Sequence, residues 1–218
     1  AVEGNTRLDL SDLHFGIDHR YPVTEEKGRV SLLEAIKDDL SAQEKMRDVG
    51  LVIVSGDLTT RAETDPLLDD ALPFLRELAE ALRLDRECFV IIPGNHDIPL
   101  EDASPQNSDH ESRFREFLSN FYGENRDLTG LHRYVLESGK MVDVLAMNSV
   151  RLRSTKMSHF GYVQWNHYKR FLDTAELVEN SIRIAVLHHH LVQAPRVERV
   201  NEEGTEAAKY STTLDAGE

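Results

Sequence analysis

Residues 88–97 read Cys-Phe-Val-Ile-Ile-Pro-Gly-Asn-His-Asp, and the last three set an amide, an imidazole and a carboxylate in immediate succession. The apolar, β-branched run 88–92, closed by Pro93-Gly94, reads as a buried strand. Asn95, His96 and Asp97 then follow its carboxyl end, where open α/β sheets place their ligands. Taken alone, the triplet reads equally well as a polar turn whose Asn and Asp cap backbone groups. Three other apolar runs end in the same way. Residues 7–10 lead into Asp12 and His14, 51–54 into Gly56-Asp57, and 182–187 into His188, His189 and His190. Carboxylates, imidazoles and an amide oxygen make a mixed oxygen and nitrogen donor set. That mixture suits Mn²⁺, Fe, Zn²⁺ or Ni²⁺ better than the all-oxygen shells of Ca²⁺ or Mg²⁺. Asp12 and His14 stand two apart, so on an extended segment both face one side and can grip one ion.

The elements that must carry these groups alternate. Between the strand-like runs, residues 29–49 space Val30, Leu33, Ile36, Leu40 and Met46 close to a helical period. Residues 67–84 repeat Leu68, Leu72, Leu75, Leu78 and Leu82 on one face, after an Asp65-Pro66 start signal. Pro73 predicts a kink there, or two helices with the second starting near Asp70. Strands separated by helices argue for a parallel sheet with helices packed on it, and the polar motifs would line one of its edges. Helix 108–122 then carries Phe114, Phe117, Leu118 and Phe121. A hairpin over 132–148 turns at Ser138-Gly139, a helix spans 161–178, and a last strand covers 182–187. The hairpin calls for antiparallel pairing, hence a mixed sheet or two sheets.

Hydrophobic residues make up 40% of the 218 and charged residues 29%, an ordinary balance for a globular domain with a full core. No internal repeat or low-complexity linker divides the chain, so one domain is expected over 1–218, with a loose polar tail after Gln193. No run approaches the roughly 20 apolar residues that span a bilayer. The single cysteine, Cys88, can form no internal disulfide, which fits a reducing, cytoplasmic setting, and it reads as a small core hydrophobe. A net charge of −14 disfavours an extended nucleic-acid-binding surface, whereas carboxylates that ligate metal add to the negative count.

In order and spacing, Asp12-Leu13-His14, Gly56-Asp57, Gly94-Asn95-His96-Asp97 and Val186-Leu187-His188-His189 resemble the motifs of the calcineurin-like metallophosphoesterases. The stretches Ser-Asp-Leu-His-Phe-Gly (11–16), Ser-Gly-Asp-Leu-Thr (55–59) and Pro-Gly-Asn-His-Asp (93–97) look most like the bacterial branch near the class III cyclic-nucleotide phosphodiesterases. The resemblance implies a four-layer α-β-β-α sandwich with two mixed β-sheets and a metal site at the carboxyl ends of the strands. It also implies two ions: Asp12 and His14 hold the first, Asp57 bridges both, and Asn95 and His188 hold the second. A metal-activated hydroxide would hydrolyse a phosphodiester or phosphomonoester substrate. His96 would protonate the leaving oxygen and Asp97 would orient His96. His189 is a candidate substrate contact. His19, His110, His132, His159 and His167 are expected to face solvent or cap helices, Arg151 and Arg153 to make surface ion pairs, and Trp165 to be core.

The family's pattern finishes with Gly-His-x-His, one histidine for each ion, and no such motif occurs in the 218 residues. The expectation is therefore a domain truncated at its C-terminus, with further sequence or domains beyond it. Two other readings follow from the same gap. One is a degenerate domain acting as a non-catalytic sensor or docking module of a larger protein. The other is a hydrolase using a single ion.

Overall fold

The structure, a computed structural model, describes residues 4–16, 31–61, 65–99, 109–151, 160–174 and 178–191. Strand β1 (Thr6–Leu10) is followed by helix α1 (Leu32–Ala42), central strand β2 (Val49–Val54), helix α2 (Leu72–Leu82) and the short strand β3 (Phe89–Ile91). These three strands form one sheet in the order β1-β2-β3. Helix α3 (Ser112–Tyr122), strands β4 (Gly130–Val135) and β5 (Met141–Ala146), helix α4 (Trp165–Thr174) and strand β6 (Ile182–Val186) complete the described elements, with a second sheet ordered β4-β5-β6.

Alternation along the strands produces the layers. Val52, Val54, Phe89 and Ile91 face the helices and pack with Leu40 of α1, Leu75 and Leu78 of α2, and Phe114, Phe117 and Phe121 of α3. Leu51, Ile53, Val90 and Ile92 face the other way, onto Val142, Val144, Ala146 and Val186 of the second sheet. The far side of that sheet packs Met147 against Val163 and Tyr168, the latter on α4. Helices, sheet, sheet and helix therefore stack as the expected four layers, because each strand places successive side chains on opposite faces. Among the described residues only the second sheet is mixed: β4 and β5 are antiparallel, β5 and β6 parallel. The first sheet is parallel throughout, since both of its connections run through helices.

Several boundaries differ from those read off the periodicity, each for a local reason. Helix α1 is capped by Ser31, whose hydroxyl accepts from the Glu34 N–H at 3.2 Å. It ends well before 49, because Glu44 takes a left-handed φ of 56° and the Lys45 N–H turns back to the Leu40 carbonyl at 2.8 Å. Met46 still packs on the core from outside the helix, which is why the period extends past the helix end. Ahead of α2, residues Leu67–Ala71 form one wide π turn, and Pro73 falls in the first turn of α2. The wide turn removes the clash its ring would make inside a regular helix. Cys88 belongs to a 3₁₀ turn (Arg86–Cys88) that precedes β3 and is half-buried, where a core strand position was expected.

Candidate metal centre

Strands β1 and β2 stop at Leu10 and Val54, yet the loops after them stay zipped together. Ser55 N donates to the Leu10 carbonyl, Asp12 N to Gly56, His14 N to Asp57 and Phe15 N to Leu58, at 2.7–3.1 Å. Asp12, His14 and Asp57 hold φ values of 55°, 51° and 53°. The segment 12–14 is therefore not the extended one that the two-residue spacing suggested. Asp12 and His14 converge because both lie in the left-handed region, a conformation non-glycine residues adopt only where the surroundings impose it.

Their convergence centres on Asp57, which is 4% exposed. His14 Nε2 lies 3.8 Å from Asp12 Oδ1 and 3.9 Å from Asp57 Oδ2. On the other oxygen, His188 Nε2 lies 3.5 Å from Asp57 Oδ1 and 3.1 Å from Asn95 Oδ1. Donor atoms of Asp12, Asp57 and His188 fall within 4.8 Å of one another. The backbone fixes the imidazoles: His188 Nδ1 stands 2.9 Å from the Ser55 carbonyl and His14 Nδ1 3.3 Å from the Thr59 carbonyl. A carbonyl only accepts, so each Nδ1 carries the proton and each Nε2 points to the carboxylates.

Electrostatics agree with this grouping. Burial pushes the Asp57 carboxyl up, but the hydrogen bond and charge of His188, with the His96 N–H at 2.8 Å, outweigh it and leave Asp57 below the ordinary carboxylate range. Burial would lower His188, yet the hydrogen bond and charge of Asp57 raise it to about 9. The proton so held on His188 would have to leave before its Nε2 could ligate a cation. Two nitrogens, carboxylate oxygens and an amide oxygen around one shared carboxylate fit ions that accept mixed shells.

His96 is exposed, its ring edge-on to His14 with centroids 5.1 Å apart, and its Nδ1 lies 2.7 Å from the Thr60 carbonyl. That carbonyl, not Asp97, holds the ring. Asp97 is fully buried, with Oδ1 accepting from Thr59 N (2.9 Å) and Thr59 Oγ1 (3.2 Å) and Oδ2 from Gly94 N (2.9 Å). Burial first, and the charge of Asp57 next, push the Asp97 carboxyl up to about 6. His189 is 2% exposed and its Nδ1 lies 2.8 Å from Ser149 Oγ. Elsewhere the histidine expectations need correction. His110 is buried in a 3₁₀ turn (Asp109–Glu111) that opens α3, and His132 is half-buried on β4, where burial lowers its pKa. His19, His159, Arg153 and the side chains of Trp165 and His167 lie outside the described residues, and Arg151 is half-buried.

The sequence profile of the calcineurin-like phosphoesterases matches residues 10–211, nearly the whole chain and every residue of this centre. The chain belongs to that family. No curated protein matches it. Membership makes metal dependence and phosphate-ester chemistry the family-level description of the Asp12, Asp57 and His188 cluster. Among the described residues no helix of this calcineurin-like phosphoesterase is long and apolar enough to cross a membrane. Pattern reading placed Ser55 and Thr59 in the 55–59 motif and Asn148-Ser149 at a strand end, but gave Ser55, Thr59, Thr60 and Ser149 no role. Ser55, Thr59 and Thr60 act through backbone carbonyls, which leave no trace in residue type, and the hydroxyls of Thr59 and Ser149 are of a kind found in any loop.

Proposed function

We propose that the chain is a hydrolase of phosphate esters, phosphodiesters in particular, that works with two divalent transition-metal ions. One observation carries the reading: the two oxygens of Asp57 face two different imidazoles, Oδ2 that of His14, which also stands 3.8 Å from Asp12, and Oδ1 that of His188, which also stands 3.1 Å from Asn95, with donor atoms of Asp12 and His188 both within 4.8 Å of Asp57. Asp12 and His14 would hold one ion, Asn95 and His188 the other, and Asp57 both. Such a pair, when bound, polarises the phosphoryl oxygens and makes a nucleophile available near neutral pH. The chain's own work is then positioning and proton transfer. The Ser55 and Thr59 carbonyls aim the two imidazoles, and the His96 N–H holds Asp57 in place. With its Nδ1–H given to Thr60, His96 keeps Nε2 for substrate, and a proton carried on Nε2 would go to the leaving oxygen. Asp97 acts on His96 through the loop, fixing the Thr59 N–H next to Thr60, while the single Thr59 hydroxyl proton is shared between Asp97 Oδ1 at 3.2 Å and the His96 carbonyl at 3.1 Å.

The test is hydrolysis of bis-p-nitrophenyl phosphate, p-nitrophenyl phosphate and a cyclic nucleotide in Mn²⁺, Fe²⁺, Zn²⁺ or Ni²⁺, with Asp57→Asn as reference. Asparagine tolerates the left-handed backbone of residue 57, so this variant removes charge with little change of shape. Turnover of the diester, reduced at least about 100-fold in Asp57→Asn, is the expected result. A wild-type chain as inert as the variant with every ion and ester refutes the enzyme reading. Metal binding without turnover would favour the docking-module reading instead.

A further inference from the structure

The ladder between β5 and β6 ends with the Met147 N–H on the Val186 carbonyl at 2.8 Å. Two residues on, Ser149 supplies what the ladder no longer can. Its hydroxyl oxygen lies 3.3 Å from the His189 N–H, which it accepts, and 2.8 Å from His189 Nδ1. Ser149 and His189 are 0% and 2% exposed, so these bonds form away from water, where an unmet polar group is costly. The anchor for Ser149 is equally built. Next to it, Asn148 accepts the Val150 N–H at 3.0 Å, donates to the buried Glu111 carboxylate at 2.8 Å, and gives its own N–H to the Tyr168 hydroxyl at 2.8 Å. The end of β5 is thereby tied to the start of α3 and to α4.

We infer that Ser149 is a positioning residue for the metal centre, acting through His189 to set where His188 stands. The inference rests on the two-ion reading above. His188 and His189 are consecutive, and their rings are nearly perpendicular, 84° apart with centroids at 5.2 Å. Holding the His189 ring and N–H on Ser149 fixes the turn of the main chain between them. That turn delivers the His188 ring to Ser55 on the first sheet and its Nε2 to Asn95 and Asp57. The site is thus pinned on one side by a β2-end carbonyl and on the other by a β5-end hydroxyl. Partners bonded directly to a metal's ligands typically change affinity roughly 10–100-fold when lost, and Ser149, one residue further out through His189, is expected at the lower end.

Calorimetric titration of the chelator-treated chain with Mn²⁺ alone tests this, alongside the melting temperature without metal. The wild-type chain should bind two ions. Ser149→Ala and His189→Leu should each weaken one of the two by about tenfold or more and leave the other unchanged. His189→Asn, whose side-chain amide can reach the Ser149 hydroxyl, should recover most of the loss. If Ser149→Ala does not fold, the comparison of His189→Leu with His189→Asn decides. Unchanged affinities in folded variants, or equal losses in His189→Leu and His189→Asn, overturn the inference and leave the two-ion reading standing. A wild-type chain that takes up no Mn²⁺ overturns both.

Discussion

Asp12, His14 and Asp57 are candidate ligands that all hold a left-handed backbone, with φ between 51° and 55°. Each such residue costs on the order of 1 kcal/mol, and the zipped loops after β1 and β2 sustain that cost where the donors must meet. A comparison within one position isolates the backbone term. Asp12→Ala and Asp12→Gly remove the same carboxylate, but only glycine is at ease at φ 55°. Urea denaturation in chelator should therefore find Asp12→Gly more stable than Asp12→Ala by about 1 kcal/mol, the reverse of the usual order of the two. The usual order would show that residue 12 relaxes out of the left-handed region when its side chain is gone.

At the level of elements, the second sheet is tied across its strands by one buried carboxylate. Asp143 on β5 accepts from Arg133 of β4 at 2.7 Å and from the Ser181 hydroxyl, just before β6, at 2.9 Å. The Arg133 hydrogen bond is the main reason its carboxyl lies below the ordinary range, against the opposing effect of burial, with Ser181 adding to the lowering. A carboxylate with a depressed folded pKa contributes stability above its unfolded value, near 4, and loses that contribution as pH falls through the folded value. Asp143→Asn should thus be less stable than wild type by about 1–3 kcal/mol at pH 7. The gap should close progressively below about pH 4, as read by urea denaturation at both pH values. A gap independent of pH would assign the effect to shape, not charge.

Across the whole molecule, the site is a meeting of two sheets at one edge, and glycine makes the meeting possible. A Cβ on Gly56 would stand 2.5 Å from Gly94 N, on the loop after β3, and 2.9 Å from His188 Nδ1, beyond β6. A Cβ on Gly94 would stand 2.1 Å from Asp57 Oδ1. Nothing there is a flexible side-chain end that could swing aside cheaply. Gly56→Ala should destabilise the fold by about 3 kcal/mol, from overpacking together with its φ of 99°. It should also weaken Mn²⁺ binding in whatever fraction stays folded, as measured by thermal melting and titration. A melting temperature within a degree or two of wild type would mean that the three loops do not pack as closely as described.

Much of this molecule was legible without coordinates, because the signals are local. Strand ends bearing Asp12, His14, Asp57, Asn95 and His188 stand out by residue type, and the alternation of apolar runs and helical periods called for layered sheets and helices. Element boundaries were less legible, since Glu44 and the π turn before α2 depend on how the chain turns back onto the core. Groups that act through the main chain were invisible: the Ser55 and Thr60 carbonyls could belong to any residue. The partners of Asp97 and His189 were likewise decided by folding, which brings Thr59 from 38 residues away and Ser149 from 40. Residue type determined which chemistry the chain can perform, because donor atoms are a property of side chains. Tertiary structure alone decided which donors share Asp57 and what holds them, because those contacts join segments that only the stacking of two sheets brings together.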